Sequence, residues 1–389
     1  MPDTSIVDEA AAPAAFPDLN GPEFAFERFF LPGPSAVRPE VLDAMRRPVI
    51  GHRGAEMREL MGGVRDGLRA LFGSRRPVYV STSSATGLME GAVVNLSRRR
   101  ILCLVCGAFS GRFAAIARDT GRDFDTLEVP WGEANDPDRL AARLSEKPGR
   151  YDLVTAVHSE TSTGVLNPVS ELADVVAGHD DVLLAVDGVS SVAGAPVAFD
   201  EWGIDFLLTG SQKALALPPG LSMAAASERA LERAAAIPAR SRYFDLLEFE
   251  RRIGDDQTPN TPAVSLIYAL HAQLGRIAEE GLGERLARHR RMARRTHRWA
   301  EGAADRIGVE LSVLAPEGHR SPTVTAVELP AGRSGRDVAA GLRERGFTIA
   351  PGYGKLKEDT IRIGHMGDHT VDELEAVLEA LDAELGEGR

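Results

Sequence analysis

Hydrophobic positions along this chain follow two alternating patterns: short continuous apolar runs, and longer stretches in which apolar residues recur with a helical period. The runs predict seven strands, at Val78–Thr82, Ile101–Cys106, Thr126–Val129, Leu153–His158, Val182–Asp187, Phe206–Thr209 and Leu221–Ala225. The helical stretches predict helices at Gly87–Leu96, Gly111–Thr120, Pro137–Ser145, Val169–Gly178 and Glu228–Ala236. Such alternation is typical of an α/β fold. We therefore expect a doubly wound, mostly parallel sheet that is covered on both faces.

Further helical patterns flank this region. Before it, the spacing predicts a short helix at Pro39–Arg46 and a longer one at Arg58–Phe72. After it, a long helical pattern from Ala263 to about Ile307 should lead into a smaller C-terminal α/β domain. That domain should contain strands near Thr323–Glu328 and Ile361–Ile363, and helices near Gly335–Arg345 and Thr370–Glu384. We divide the chain into an N-terminal arm (1–25), a large domain (26–268) and a small domain (269–389).

Composition narrows the class of protein. The 389-residue chain has 43% hydrophobic residues, a composition typical of a soluble globular protein. A net charge of −12 argues against a general nucleic-acid binder. No apolar stretch is long enough to span a membrane, and the N-terminus lacks the pattern of a signal peptide. We expect a cytoplasmic protein that binds neither nucleic acid nor membrane.

The two cysteines, Cys103 and Cys106, have the spacing of a metal or redox pair. The residues between them are apolar, however, and no second pair or histidine cluster completes a zinc site. In a strand their side chains point to opposite faces of the sheet. We interpret both as buried structural residues and predict no metal site.

Lys213 is the most informative single residue. The chain has only four lysines and fills its other basic positions with arginine. Lys213 follows the polar end of the apolar run Leu207-Leu208-Thr209-Gly210-Ser211-Gln212. A partly buried lysine can lose its proton and attack a carbonyl, whereas arginine stays charged. This segment alone is equally compatible with an ordinary lysine at a strand end.

An acidic residue upstream of Lys213 favours a functional role for this lysine. Asp187 closes the predicted strand Val182–Asp187, and open α/β sheets bind ligands at the carboxyl ends of their strands. Asp187 and Lys213 should therefore face one crevice. Pyridoxal phosphate (PLP) needs such a pair, because a lysine forms the Schiff base and a carboxylate keeps the ring nitrogen protonated. The alternative is that Asp187 caps a turn or a helix.

Other strand ends carry polar or aromatic residues. Ser81 to Gly87 form a hydroxyl-rich strand-to-helix turn that could cradle a phosphate. Phe109 follows the next strand and could stack on a flat ring, although an aromatic residue in this position is by itself more often a core residue. His158 to Gly164 form another polar strand end. A Ser-His-Asp hydrolase could be drawn from His158 and Asp187, but the Gly-x-Ser-x-Gly nucleophile turn is missing.

Taken together, these motifs resemble the class V aminotransferases of PLP fold type I, and most closely the alanine/serine–glyoxylate (serine–pyruvate) aminotransferase group. The matching segments are Leu31-Pro32-Gly33-Pro34-Ser35, Pro48-Val49-Ile50-Gly51-His52-Arg53, Glu160-Thr161-Ser162-Thr163-Gly164-Val165, Val186-Asp187-Gly188-Val189-Ser190-Ser191, Gly210-Ser211-Gln212-Lys213-Ala214-Leu215, Pro218-Pro219-Gly220 and Ile361-Arg362-Ile363-Gly364. The resemblance runs from about Phe29 to the C-terminus. It implies a transaminase that moves an amino group from alanine or serine to glyoxylate or pyruvate in a ping-pong reaction.

The resemblance also implies a role for each matching position. The catalytic pair would be Lys213, which binds PLP and shuttles a proton, and Asp187, which pairs with the ring nitrogen. The remaining cofactor contacts would be Phe109 on the ring, Thr161 near the ring oxygen, Ser84, Ala85, Thr86 and Gln212 at the phosphate, and Thr261 at the phosphate of the neighbouring subunit of a homodimer. The substrate residues would be Arg362, which clamps the substrate carboxylate, with Gly33, His52 and Arg53. Some relatives have tyrosine where Thr258 stands, so one further phosphate contact is in doubt.

Two other activities stay open within this family. The His52-Arg53 pair resembles one that phosphoserine aminotransferases use near the substrate phosphate, which makes phosphoserine and 2-oxoglutarate an alternative substrate pair. A lyase or a cysteine desulfurase is a remoter alternative, since a desulfurase needs a cysteine on a mobile loop. A PLP-fold protein without activity would be expected to lack Lys213 or Asp187, and this chain has both.

Overall fold

A computed structural model describes residues 21–386. Between residues 21 and 230 the structure contains nine strands, which are β1 Val78–Ser81, β2 Ile101–Val105, β3 Phe124–Glu128, β4 Leu153–Val157, β5 Ser159–Glu160, β6 Val165–Leu166, β7 Leu183–Asp187, β8 Phe206–Gly210 and β9 Ser222–Ala226. Seven of them form one sheet in the order β1-β9-β8-β7-β4-β2-β3. β9 pairs antiparallel with both neighbours, and the other pairs are parallel. The predicted fold class, a mostly parallel α/β sheet, is confirmed.

Helices cover this sheet on both faces. In chain order the helices up to residue 253 are α1 Pro39–Ala44, α2 Ala55–Phe72, α3 Ala85–Leu96, α4 Ser110–Asp119, α5 Pro137–Glu146, α6 Val169–Ala177, α7 Glu228–Ala235 and α8 Leu246–Ile253. Alternate strand residues face opposite layers: Leu102 and Leu184 pack with α2, α5 and α6, whereas Cys103 and Leu183 pack with α3, α4 and α7. Two apolar layers thus enclose the sheet, as expected for strands buried on both faces.

The long helical pattern after residue 263 forms three helices rather than one. They are α9 Val264–Glu280, α10 Leu282–Glu301 and α11 Ala303–Ile307. Gly281 separates the first two with φ +79°, a left-handed conformation that glycine adopts without a steric penalty. The early half of this segment packs on the large sheet's core, through Ile267 and Leu270, and the later half packs on the C-terminal core through Trp299.

The C-terminal part contains a smaller antiparallel sheet. Its strands are β10 Ser312–Val313, β11 Thr325–Glu328, β12 Ala350–Pro351 and β13 Thr360–Ile363, in the order β10-β11-β13-β12. The helices α12 Gly335–Glu344 and α13 Val371–Gly386 pack against it. The strands β10 and β12, two residues each, and the helix α8 were not predicted, because such short elements give little periodicity.

The N-terminal segment packs against the C-terminal part of the chain. Residues 1–20 of the predicted N-terminal arm are outside the described residues, and residues 21–25 include a turn of 3-10 helix at Pro22–Phe24. The carbonyl of Glu23 accepts a hydrogen bond from Thr348 Oγ1 at 2.8 Å. Further along, Phe29 forms a parallel bridge with Thr348, and Phe30 has no exposed surface and packs in the C-terminal core.

Candidate active site

The carboxyl ends of β1, β2, β4, β7 and β8 meet at one edge of the large sheet and surround a cavity. The cavity encloses about 570 Å³, open solvent at its mouth included. The residues that line it are Ser84, Ala85, Thr86, Met89, Phe109, Arg112, Val157, Ser159, Thr161, Asp187, Val189, Ser190, Gln212 and Lys213. Parallel strands place their carboxyl ends at the same edge, which is why residues far apart in sequence converge here.

Lys213 lies on the cavity wall in the segment that follows β8. Its side chain is buried, and Nζ donates a hydrogen bond to the backbone carbonyl of Pro32. Gly33 allows this contact, because a Cβ added at its φ of +117° would lie 2.5 Å from Lys213 Nζ. Burial, together with the nearby guanidinium of Arg362, lowers the pKa of Lys213 to about 7. At neutral pH a large fraction of this lysine is therefore uncharged.

Asp187, the last residue of β7, provides the carboxylate of the cavity. Val189 N donates to Asp187 Oδ1 at 2.8 Å, which fixes the carboxylate at the strand end. The side chain is almost fully buried, and burial raises the pKa of Asp187 to about 6. A cation placed against this carboxylate would favour its charged form and lower that pKa. Asp187 is therefore suited to bind a positively charged group inside the cavity.

The start of α3 forms one end of the cavity. Ser84 is the N-cap residue with extended backbone, and among the described residues its side chain makes no capping hydrogen bond. The hydroxyls of Ser84 and Thr86, the first N–H groups of α3 and the Gln212 amide are therefore grouped at the positive end of the helix dipole. Arg112 Nη1 donates to Thr86 Oγ1 at 3.0 Å and adds a full positive charge. This end of the cavity is suited to an anion.

Phe109 forms an aromatic wall, with its ring centroid 5.7 Å from Lys213 Nζ. The buried carboxylate of Glu160 holds this position, because it accepts hydrogen bonds from Phe109 N at 3.2 Å and Ser110 N at 2.8 Å. The guanidinium of Arg112 lies 4.9 Å from the Phe109 centroid. Sequence reasoning assigned no role to Glu160 or Arg112. The signal was available, since Glu160 follows a predicted strand and Arg112 lies one helical turn beyond Phe109.

Thr161 joins the cavity to the small sheet. Its hydroxyl is 2.6 Å from Ser190 Oγ, and both residues line the cavity. Its backbone carbonyl accepts a hydrogen bond from Arg362 Nη1 at 3.3 Å. Arg362, on β13, also donates from Nε to the Pro351 carbonyl at 3.1 Å. The guanidinium is thus held at a fixed orientation beside the cavity, with Nη2 left without a hydrogen-bond partner between residues 21 and 386.

The remaining predicted site residues lie elsewhere in this subunit. Arg53 donates to Gln257 Oε1 at 3.0 Å, to the Thr258 carbonyl at 2.7 Å and to the Pro259 carbonyl at 3.1 Å. Neither Arg53 nor the adjacent His52 lines the Lys213 cavity. Thr261 lines a separate small cleft with residues of β1 and the 258–260 loop. Within one subunit, these three residues are not brought to Lys213.

The residues that a hydrolase, a desulfurase or a metal enzyme would need are unsuited to those reactions. His158 is buried, and burial lowers its pKa to about 4; within the described residues no side-chain hydrogen bond joins it to a serine. Cys103 and Cys106 are buried outside the cavity, and burial raises the pKa of each thiol to about 12. A thiol with so high a pKa is a poor nucleophile. Residues 21–386 contain no group of three or more His, Cys, Asp or Glu arranged to hold a metal ion.

Comparison with known proteins identifies a family. The model of the Aminotransferase class-V family matches residues 29–376. An uncharacterized aminotransferase of Methanocaldococcus jannaschii is 37% identical over 92% of this chain and 92% of its own. The serine–glyoxylate aminotransferase of Arabidopsis thaliana is 32% identical over 89% of this chain and 86% of its own. An aspartate aminotransferase of Thermus thermophilus, known from its crystal structure, matches with a TM-score of 0.83 and 32% identity, over 92% of this chain and 99% of that one.

The range of the family model, residues 29–376, includes both sheets and every residue that lines the Lys213 cavity. The expected resemblance to that family is therefore confirmed.

Among the helices that the structure describes, none is both long and apolar enough to cross a membrane.

Proposed function

Because this chain belongs to the class-V aminotransferases, we propose that it transfers an amino group from a small L-amino acid, alanine or serine, to glyoxylate or pyruvate by a ping-pong reaction. The observation that supports this most is the pairing of Lys213 and Asp187 in one buried cavity with an anion-binding end. A serine–glyoxylate aminotransferase among the relatives supports serine as a donor and glyoxylate as an acceptor.

The cavity residues fit pyridoxal phosphate, the cofactor that this family implies. Lys213 supplies an amine that is partly uncharged at neutral pH, and Asp187 supplies a buried carboxylate that a cation would stabilise. The start of α3, Gln212 and Arg112 would hold the phosphate, Phe109 would contact the ring, and Thr161 would lie at its ring oxygen. When bound, the cofactor supplies an electron-accepting ring that stabilises negative charge next to the amino group.

Lys213 would also move the proton that the reaction requires. A general acid–base group works best when its pKa is near the working pH, and the pKa of about 7 for Lys213 meets this condition. Its Nζ can be both protonated and neutral under the same conditions. Arginine at this position would remain charged and could do neither task.

Arg362 would bind the carboxylate that every donor and acceptor shares. Its Nη2 group and the second hydrogen of Nη1 remain available, while Nε and Nη1 are anchored to Pro351 and Thr161. An anchored guanidinium binds a carboxylate with two parallel hydrogen bonds and little loss of side-chain entropy. Gly33 lies beside this region and keeps the Pro32 carbonyl against Lys213.

Phosphoserine is the weaker substrate proposal. That activity would need His52 and Arg53 at the substrate phosphate, and Arg53 is already bonded to Gln257, Thr258 and Pro259. A desulfurase is weaker still, because both cysteines are buried with raised pKa values.

The direct test is a set of paired-substrate assays with the PLP-loaded protein. Serine, alanine, aspartate and phosphoserine are offered as donors against glyoxylate, pyruvate and 2-oxoglutarate. We expect serine or alanine with glyoxylate or pyruvate to give the highest kcat/KM. A preference for aspartate or phosphoserine, with serine and alanine among the poorest donors, would contradict the proposal.

We further propose a homodimer in which Thr261 reaches the phosphate of the partner's cavity. The support is indirect: Thr261 lies outside its own subunit's cavity, on a loop that Arg53 ties down. Light scattering should give a dimer, and Thr261→Ala should weaken PLP binding without changing the mass. An active monomer at assay concentration would contradict this.

A further inference from the structure

Tyr353 does not line the Lys213 cavity, but it packs on two residues to which the proposed function assigns roles. Its ring centroid lies 5.2 Å from that of Phe109, the aromatic wall of the cavity. The guanidinium of Arg362 lies 5.3 Å from the same Tyr353 ring. Although it contacts both of these residues, Tyr353 remains 39% exposed. Tyr353 therefore contacts both the aromatic wall of the cavity and the arginine that would bind the substrate carboxylate.

The loop that carries Tyr353 is held in place on both sides of this residue. A Cβ at Gly352 would lie 2.0 Å from the Leu356 carbonyl oxygen, so the backbone there packs directly on the next turn. Gly354, at φ +56°, packs on Trp131, whose Cη2 would lie 3.1 Å from an added Cβ. Lys355 Nζ lies 4.7 Å from the centroid of the Trp131 ring. Because Trp131 belongs to the segment after β3, the loop packs against the large domain through Gly354 and Lys355.

We propose that Tyr353 is a specificity-determining residue, a fixed wall that limits the length of the substrate side chain. This rests on the proposed function, in which Arg362 binds the substrate carboxylate and the reacting amine faces Lys213. A substrate held in that way must place its side chain in the space that Tyr353 and Phe109 border. Short side chains such as those of alanine and serine fit beside the ring, whereas long or aromatic ones collide with it.

The test measures the binding of carboxylates that have no amine and so do not react. Acetate, propionate, hexanoate and phenylacetate are titrated into the PLP-loaded protein by calorimetry. The quantity of interest is the ratio of the Kd of phenylacetate to that of acetate. Tyr353→Ala removes the wall, and we expect it to lower this ratio roughly tenfold or more, since one methylene in a confined site is worth about ten- to two-hundredfold. Tyr353→Phe keeps the ring and should keep the ratio.

Two further variants make the outcome specific. Tyr268 also has an arginine over its ring, Arg47 at 5.7 Å, but it lies outside the cavity, so Tyr268→Ala should leave the ratio unchanged. Trp131→Ala loosens the loop and should shift the ratio in the same direction as Tyr353→Ala, by a smaller factor. Should Tyr353→Ala not fold, the Trp131→Ala result decides alone.

Each result has one interpretation. An unchanged ratio in Tyr353→Ala, with acetate still binding, would overturn the inference and leave the proposed function intact. The same shift in Tyr353→Phe would also overturn it, because the hydroxyl and not the ring would then be responsible. If Arg362→Gln binds acetate as tightly as the natural protein, the carboxylate clamp itself is wrong, and both the inference and that part of the proposed function fail.

Discussion

Arg362 donates a hydrogen bond from Nη1 to the backbone carbonyl of Thr161 at 3.3 Å. The two residues are far apart in sequence: Thr161 lines the Lys213 cavity from the turn between β5 and β6, and Arg362 lies on β13 of the small sheet. The bond leaves the guanidinium little freedom to rotate. It also explains why burial, which lowers the pKa of Arg362 to about 10, does not leave this cation without partners.

The first prediction concerns this arginine. Arg362→Lys should lower kcat/KM for every donor and acceptor by a similar factor, because all share the carboxylate. A point charge does not replace the two parallel hydrogen bonds, and a charged hydrogen bond is worth about 1.5–3 kcal/mol, or about ten- to a hundredfold. Arg336→Lys is the matched control, since Arg336 lies exposed on α12 and pairs with Glu358. A loss confined to one donor would show that Arg362 does not bind the common carboxylate.

The second prediction concerns Asp187. Asp187→Asn should keep PLP bound but reduce turnover by orders of magnitude, because an amide cannot stabilise a charge on the ring nitrogen. Asp205→Asn is the contrast, since Asp205 is also buried beside the sheet but accepts from Leu184 N and Ser227 Oγ. That variant should lower the melting temperature and leave the absorbance spectrum of bound PLP unchanged. Near-normal turnover in Asp187→Asn would show that Asp187 is structural.

The third prediction concerns the protonation of Lys213. With only four lysines, ε-¹³C-lysine labelling of the apoprotein gives few signals, and Lys213→Arg assigns one of them. That signal should titrate near pH 7, well below the ordinary range of a lysine side chain. Arg362→Gln should raise the Lys213 pKa, since the guanidinium is the second cause of its depression after burial. A Lys213 pKa near 10 would contradict the assigned acid–base role.

The lowered pKa of Lys213 also makes the free energy of unfolding depend on pH. Between pH 7 and 10.4 the unfolded chain binds a proton at Lys213 that the folded apoprotein does not, so this group's contribution to the free energy of unfolding rises with pH. The contribution is complete above the unfolded pKa and is lost as pH falls to about 7. Lys213→Met should remove this part of the pH dependence, as denaturant unfolding at several pH values would reveal.

Much of this site could be predicted from the sequence, because the carboxyl ends of parallel strands converge at one edge of the sheet. Asp187 and Lys213 each close an apolar run, and the parallel topology brings such ends to one edge of the sheet. The contacts of Lys213 with Pro32, of Phe109 with Glu160 and of Arg362 with Thr161 join distant segments, and no local pattern reports them. Gly281 was also missed as a helix break, since a single glycine within a helical pattern is tolerated and only its φ reveals its role.

The fourth prediction concerns Arg53, because the effect of replacing it shows whether phosphoserine or a smaller donor is the substrate. Arg53→Ala should lower activity with serine, alanine and phosphoserine by the same factor, because it acts by releasing the 257–259 segment. It should also lower the free energy of unfolding by roughly 1–3 kcal/mol, the cost of leaving buried groups unpaired. Gln257→Ala, which removes one of its partners, should produce a smaller effect of the same kind. Efficient phosphoserine turnover that Arg53→Ala abolishes selectively would instead place Arg53 at the substrate.

The residue that binds the cofactor can be identified by covalent trapping. The purified protein, loaded with PLP, is reduced with borohydride, digested and analysed by mass spectrometry. We expect a phosphopyridoxyl group on Lys213 alone, and a Lys213→Arg variant that is neither labelled nor able to turn over any donor. A label on Lys147, Lys355 or Lys357, or the absence of any label, would show that Lys213 does not bind the cofactor.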